Sequence, residues 1–334
     1  MKKLIAILLC ISTVFLSGCY DYNDTENLSY VTAVTVDIGS GAEYEYCFQF
    51  VNPLSDEGEF VTYSAQGDTL YTAVNRISEQ MTRKISFTHI KMVAVSQEAA
   101  KNMDKAVDGF NASRFYRPDI VLAVVFGEKA ADIFTKIEPE LEGNAARYYD
   151  LSFTSENSLA KTGTTVKDYF SHNSCVLPLI AESSINGIAI IKDGSLIALG
   201  DRDDAICYNL LTKGTKQSVF SDSMITSNPP SVYEYWKDNK PVVEYTVTVD
   251  ISPLSSDKNV DEVKYELESR LYTFVKKCTE DYKADIFNNE RLFKKYFMTE
   301  KDWEAQNWDK ALENLTAKVS IVATETKRGR SSVN

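Results

Sequence analysis

The chain reads as an α+β protein of more than one domain, with mixed and antiparallel sheets and helices packed on them. Three observations carry this reading. Between residues 28 and 137, short β-branched and aromatic runs alternate with amphipathic helical patterns. Two apolar runs meet at Asp193-Gly194 with hairpin spacing. Near the C-terminus, alternating strands flank a long amphipathic stretch, so a long helix is expected across an antiparallel sheet.

The N-terminus is an address rather than a fold element. Lys2 and Lys3 precede an apolar run from Leu4 to Leu16, which has the length and flanks of a secretory signal and is too short to span a bilayer. Leu16-Ser17-Gly18-Cys19 then has the form of a bacterial lipobox. In this motif the Cys19 thiol receives a diacylglyceryl group, cleavage falls between Gly18 and Cys19, and the freed amine is open to acylation. Two or three acyl chains, at about 0.8 kcal/mol per buried methylene, hold a protein on a membrane where one chain binds only reversibly. Residues 1–18 are therefore expected to be removed, leaving a lipid-anchored chain on the outer face of the cell membrane. Tyr20 to Asn27 is a polar, acidic tether. At no more than about 3.3–3.6 Å per residue it keeps the first folded element within a few nanometres of the bilayer.

Leu28 to Asp37 and Tyr44 to Val51 are strand-like, with Gly39-Ser40-Gly41 expected to supply the positive φ of a hairpin and Asn52-Pro53 to close the second strand. A polar loop is expected next. Gly67-Asp68-Thr69 opens a helix whose buried face is Leu70, Val74, Ile77 and Met81. His89 to Val95 reads as a strand, and Ser96 caps a helix reaching Phe110. Pro118 opens a strand over Asp119–Phe126 whose nearly continuous apolar run predicts a central position. After Gly127, Ala130, Ile133, Phe134 and Ile137 mark a helix face. Residues 138–184 carry little pattern beyond helix and loop, with helical turns suggested at Tyr148, Tyr149, Phe153 and 166–170. The hairpin over 187–200 follows, then a short helix near Ala205–Leu211. Val243, Tyr245, Val247, Val249 and Ile251 alternate with polar residues, the signature of a strand with one wet face. Val260, Val263, Leu267, Leu271, Phe274 and Cys278 define the long helix, and Ala317 to Ala323 the last strand. A basic tail, Lys327 to Ser332, ends the chain.

The formal charge is −12. Loss of Lys2 and Lys3 from 36 basic side chains leaves 34 against 48 acidic ones, or −14. Such a surface repels nucleic acid, which is excluded as a partner, and disfavours anionic headgroups. The roughly 316 residues left after cleavage are enough for two or three domains.

Reactive groups are sparse. His89 and His172 are the two histidines, and neither has a metal-type ligand at helical or hairpin spacing. No Gly-x-Ser-x-Gly elbow or Gly-rich phosphate loop occurs. Asp201, Asp203 and Asp204 lack a calcium-loop pattern and read as a solvated acidic turn. Cys47, Cys175, Cys207 and Cys278 are widely spaced and read as buried small hydrophobes, with disulfide pairing left open. No catalytic residue, metal or cofactor is expected beyond the lipid on Cys19. Nineteen tyrosines and three tryptophans are a surplus suited to cores and contact surfaces alike. Tyr233, Tyr235 and Trp236, in a loop bounded by Pro229-Pro230, are the candidate partner-contact residues, and strand 28–37, next to the tether, is a second candidate contact element.

Several stretches, taken in order, resemble the C-subunit lipoproteins of spore germinant receptors, the Ger(x)C family. They are Cys19-Tyr20-Asp21 and Thr35-Val36-Asp37, then Gly67-Asp68-Thr69, Arg83-Lys84 and His89-Ile90-Lys91. Arg117-Pro118-Asp119, the hairpin from Gly187 to Gly194, Asp285-Ile286-Phe287, Trp303 and the final strand also fit. Tyr20 stands where the family usually has Trp, and Asn288 replaces a common glycine. The resemblance implies three domains, here 19–54 with 183–214, 55–182, and 215–334. It also implies a non-catalytic subunit on the outer surface of the spore inner membrane, assembled with membrane-embedded A and B subunits in nutrient-triggered germination. A solute-binding lipoprotein of a transport system is the alternative class, but it needs two α/β lobes of parallel strands, which the alternating C-terminal strands oppose.

Overall fold

The computed structural model describes residues 27–51, 60–112, 117, 119–135, 164–181, 184–255 and 259–325. Gly18, Cys19, the tether to Glu26, Asn52-Pro53, Pro118, Ile137, Tyr148, Tyr149, Phe153 and the basic tail lie outside the described residues.

Two sheets organise the described chain. The first contains β1 (Leu28–Ile38), β2 (Tyr44–Val51), β3 (Phe60–Gly67), β4 (Lys84–Ser86), β5 (Met92–Ser96), β6 (Val121–Phe126), β7 (Thr164–Thr165), β8 (Ser174–Ala181), β9 (Ser184–Lys192) and β10 (Ser195–Gly200). Its order is β10-β9-β8-β6-β5-β1-β2-β3, with β4 beside the start of β1 and β7 on β6. The centre, β1-β5-β6-β8, is parallel, and both flanks are antiparallel. Strands from both of the first two expected domains thus share one sheet.

The parallel centre follows from the apolar runs of β5 and β6, which have no polar alternation to place in water. On one face, Val34, Val36, Phe48, Phe50 and Val93 pack against α1 (Leu70–Ser78) and α2 (Met103–Ala112). On the other, Ala33, Met92, Ala94, Ala123 and Val125 pack against a 3-10 turn, Ala130–Phe134.

Thr69 caps α1 as expected, its hydroxyl accepting from the Thr72 amide at 3.2 Å. The helix expected after Ser96 begins instead as a 3-10 turn, Ala99–Asn102, and becomes α-helical at Met103. There the Met103 amide donates to the Gly194 carbonyl at 2.8 Å, so the hairpin tip anchors the helix start. Asp193 and Gly194 take φ of 47° and 72°, the turn expected for their pair. Gly39 and Gly41 do not take positive φ. Glycine is needed at Gly39 for another reason: a Cβ there would lie 2.3 Å from the Ala42 carbonyl oxygen.

Strands lie where none is expected, β3 and β8 among them. β3 replaces the polar loop: its Phe, Val, Thr and Tyr pair with β2 along a sheet edge, where polar side chains can stay wet. β8 occupies the weakly patterned region, and its buried run from Cys175 to Ile180 inserts between β6 and β9. Pro178 is tolerated there because pairing with β6 begins only at Leu179. The strand expected from His89 starts at Met92, after a turn in which the Ile90 amide donates to the Phe87 carbonyl. The helical turn expected at 166–170 is α3 (Val166–Tyr169), capped by Thr165.

The second sheet contains β11 (Thr215–Phe220), β12 (Ser223–Ser227), β13 (Ser231–Lys237), β14 (Lys240–Pro253) and β15 (Thr316–Glu325). β12 and β13 pair antiparallel with successive parts of β14, while β15 runs parallel to it over Val242–Ile251. The sheet is therefore mixed, since the long connection between β14 and β15 is a crossover. Within it, α5 (Val260–Lys276), capped by Asn259, presents Val263, Leu267, Leu271 and Phe274 to the sheet. A π turn, Lys277–Asp281, extends the helix and keeps Cys278 fully buried. Three short helices follow: α6 (Asn289–Lys294), α7 (Glu300–Glu304) and α8 (Trp308–Leu312). Between the sheets lies α4 (Arg202–Thr212), with Ile206, Cys207 and Leu210 in one core with Ile188 and Ile190 of the first sheet and Val247 of the second.

Candidate interaction surface

One face of the second sheet is covered by α5, and the other carries the polar side of β14. Glu244, Thr246, Thr248 and Asp250 of β14 line it with Lys318, Ser320, Val322 and Thr324 of β15. Hydroxyls bridge the strands, with Thr246 Oγ1 3.2 Å from Ser320 Oγ and Thr324 bonded to Asp250.

Residues 231–237 form β13, not a loop. The reason is legible afterwards: Lys237-Asp238-Asn239-Lys240 has left-handed φ at both central residues, 49° and 59°, the turn that joins two strands as a hairpin. The strand's period of two separates the candidate contact residues. Trp236 points inward, edge-on to Phe293 (5.4 Å, 75°) and Phe297 (5.9 Å, 85°), and serves the core. Glu234 is also buried and is bound by Lys295. Tyr233 and Tyr235 face outward with ring centroids 5.5 Å apart, and Tyr233 is 64% exposed.

Tyr235 is held in place. Its hydroxyl donates to Glu244 Oε1 at 2.9 Å, and Lys318 Nζ donates to the same oxygen at 2.6 Å and to the Tyr235 hydroxyl at 3.2 Å. The Lys318 ammonium and then the Tyr235 hydroxyl hold the Glu244 carboxyl below its ordinary range. Beside them is a cavity of about 260 Å³ lined by Tyr235, Lys237, Asp238, Lys240, Thr316 and Lys318.

The second expected contact element is not one. In β1 every residue from Val31 to Asp37 is buried, because β2 and β5 flank it and side chains pack on both faces. Asp37 at its end is occupied internally, accepting from the amides of Ala130 at 2.7 Å and Ala131 at 3.2 Å. Burial raises its pKa against those bonds.

In the acidic cluster Asp201 and Asp203 are exposed as expected, but the segment opens a helix and Asp204 is buried. Asp201 caps α4, its carboxylate accepting from the Asp204 amide at 2.8 Å. Asp204 is 4% exposed and meets Arg270 at 3.0 Å and Lys277 at 3.6 Å, tying α4 to α5 and the turn after it. Arg270 also binds Asp201. Burial pushes the Asp201 carboxyl up, but the Asp204 amide and Arg270 outweigh it and leave it below the ordinary range.

The four described cysteines, Cys47, Cys175, Cys207 and Cys278, are buried and unpaired. Desolvation pushes the Cys175 thiol up to about 12 and raises those of Cys47, Cys207 and Cys278, which suits apolar packing rather than nucleophilic use. His89 lies edge-on to Tyr30 at 4.5 Å, and His172 Nδ1 is 2.8 Å from the Asp168 carbonyl oxygen. Among the described residues no three His, Cys, Asp or Glu side chains are grouped to hold a metal. A cavity of about 400 Å³ where the two sheets' loops meet is lined by His172, Asn173, Lys192, Asp285, Arg291 and Trp308, among others. Its Asp285 is engaged by the Asn289 and Glu290 amides and by the Trp308 indole. Among the described residues no helix is long and apolar enough to cross a membrane.

The geometry therefore defines a class: a two-sheet α+β body whose distinctive surface is an open sheet face bearing tyrosines and lysines. Comparison with known proteins gives the family. Residues 21–182 match the "Spore germination protein N-terminal domain" and 186–324 the "Spore germination B3/GerAC like, C-terminal" domain, so the chain belongs to the Ger(x)C family. It is 22% identical over 253 residues to spore germination protein KC of Bacillus subtilis, covering 71% of this chain and 60% of that protein. It is 28% identical over 132 residues to B. subtilis spore germination protein B3, covering 37% of this chain and 35% of that one. Over 364 aligned residues it is 21% identical to Bacillus cereus spore germination protein GerQC, with 97% and 98% of the two chains covered. The crystal structure of the GerBC protein shares the fold, with a TM-score of 0.53 at 16% identity over 88% of this chain and 97% of that one.

Proposed function

We propose that this chain is a lipid-anchored C subunit of a spore germinant receptor, acting by contact with membrane-embedded A and B subunits and not by catalysis. The observation that carries the reading is the pairing of a lipobox at Leu16–Cys19 with family matches spanning residues 21–324. The diacylglyceryl group on Cys19 places the body on the outer face of the spore inner membrane. Anchoring gives a high effective concentration, so modest interfaces suffice to hold it to its partners. Tyr233, Tyr235 and the open face around them are the contact surface. Among the described residues the buried, high-pKa cysteines and the internally engaged carboxylates suit packing and structural ties.

The test is Cys19→Ala. The substituted protein is expected to leave the membrane fraction and the spores to lose most of their nutrient response. Mass spectrometry of the wild-type terminus should find acylated Cys19. An unlipidated terminus on a freely secreted protein would falsify the anchoring. Affinity capture from sporulating-cell membranes should bring multi-spanning A- and B-type subunits with the wild-type chain.

A further inference from the structure

The hairpin joining β13 and β14 puts two like charges face to face. Lys237 pairs directly with Lys240 across the ladder, an arrangement that destabilises a sheet when nothing offsets it. Neither lysine has a carboxylate partner among the described residues, and both line the 260 Å³ cavity that Lys318 also borders. Asp238 is the one carboxylate lining it. Three lysines thus line one mouth, one of them, Lys318, paired with Glu244, on a chain whose formal charge is −12. Lys318 is fixed by Glu244 and lies 5.9 Å from the Tyr235 ring centroid. Beside it the exposed Tyr233 ring and the half-buried Tyr235 ring form an aromatic shelf.

We infer that this corner, Lys237, Lys240 and Lys318 with Tyr233 and Tyr235, is the docking site for an acidic segment of a partner protein. The inference rests on the receptor-subunit reading and adds the chemistry of the partner. Carboxylates enter the lysine-lined mouth, while an adjacent apolar or aromatic side chain lies on the tyrosine shelf. An anionic bilayer fits less well. Asp250 is exposed on the same open face and repels an extended negative surface, whereas a narrow acidic segment meets only the hairpin tip. Tyrosine rings also add contact area at little entropic cost, which suits a protein interface.

The test uses the full lipoprotein in sporulating cells, with a photoreactive benzophenone amino acid at Tyr233. Cross-links are expected to an acid-rich segment of another protein. K237E/K240E should lower their yield about tenfold, as reversal of steering charges at an interface rim does. Replacing that segment's acids by lysine should restore the yield in the K237E/K240E background. K237Q/K240Q, which adds no negative charge, should give an intermediate loss. Both lysines are exposed, and unchanged thermal unfolding checks that the variants fold. Cross-links to lipid, a yield indifferent to charge reversal, or no cross-link at all would overturn the inference. K237E/K240E protein should stay in the membrane fraction. If it does and the cross-links are indifferent to charge, the docking site is wrong while the receptor reading stands. If Cys19→Ala leaves germination normal, the receptor reading itself fails.

Discussion

The two sheets solve different problems. The first buries its central strand on both faces, and its β1 runs from Val31 to Asp37 without an exposed residue. The second buries alternate residues of β14, from Val243 to Ile251, and leaves the residues between them to the other face. The first sheet has spent its central faces on cohesion, while the second leaves one face and a lysine-rich corner open. The strand nearest the tether in sequence is thus structural, and the open face of the second sheet is the surface proposed for partner contact.

This contrast can be broken by substitution. The largest effect is expected in the first core: Phe48→Ala should cost about 3–5 kcal/mol, read by denaturant unfolding, because Phe48 is fully buried and packs on Phe50 and Phe87. A loss below about 1 kcal/mol would mean that the first sheet is not closed as described. A smaller effect is expected at the joint between the sheets. Asp204→Ala should cost about 2 kcal/mol, since the charge-assisted hydrogen bond from Arg270 and the ion pair with Lys277 are lost while Asp201 still engages Arg270.

Acid sharpens the same joint. The folded Asp201 pKa lies below its unfolded value, so its contribution is present above about pH 4 and is lost as pH falls through the folded value. Asp201→Asn should therefore destabilise the chain at pH 7 and approach wild-type stability in strong acid. A penalty independent of pH would assign Asp201 a purely steric role. The smallest stability effect is expected on the open face. Tyr233→Ala should change unfolding free energy by no more than about 0.5 kcal/mol and still weaken germination, a split that a core residue could not give.

Much of the fold is legible because periodicity reports burial. The continuous apolar run of β6 places it centrally, and the strict alternation of β14 implies a wet face. The Asp193-Gly194 turn and the long helix α5 were equally plain. Edge and insertion strands were harder. β3 is polar enough to read as a loop, and Pro178 disguises β8. The helix expected after Gly127 shrank to a 3-10 turn.

The candidate site was half visible. Tyr233 and Tyr235 stood out as aromatic excess, but only strand geometry shows that Trp236 turns the other way. Lys318 could not be placed beside them, since it pairs with Glu244 from 74 residues away. Likewise, Asp204 looked solvated until tertiary packing brought Arg270 across it.

Hydroxyl-radical footprinting of the lipoprotein, free in detergent and assembled in sporulating-cell membranes, compares the two regions most directly. Assembly should suppress labelling of Tyr233 and leave Tyr71 of α1 and Phe126 of β6, both exposed beside the first sheet, as reactive as in the free chain. Unchanged labelling of Tyr233, with protection falling on Tyr71 or Phe126 instead, would contradict the assignment of the second sheet's open face as the contact surface.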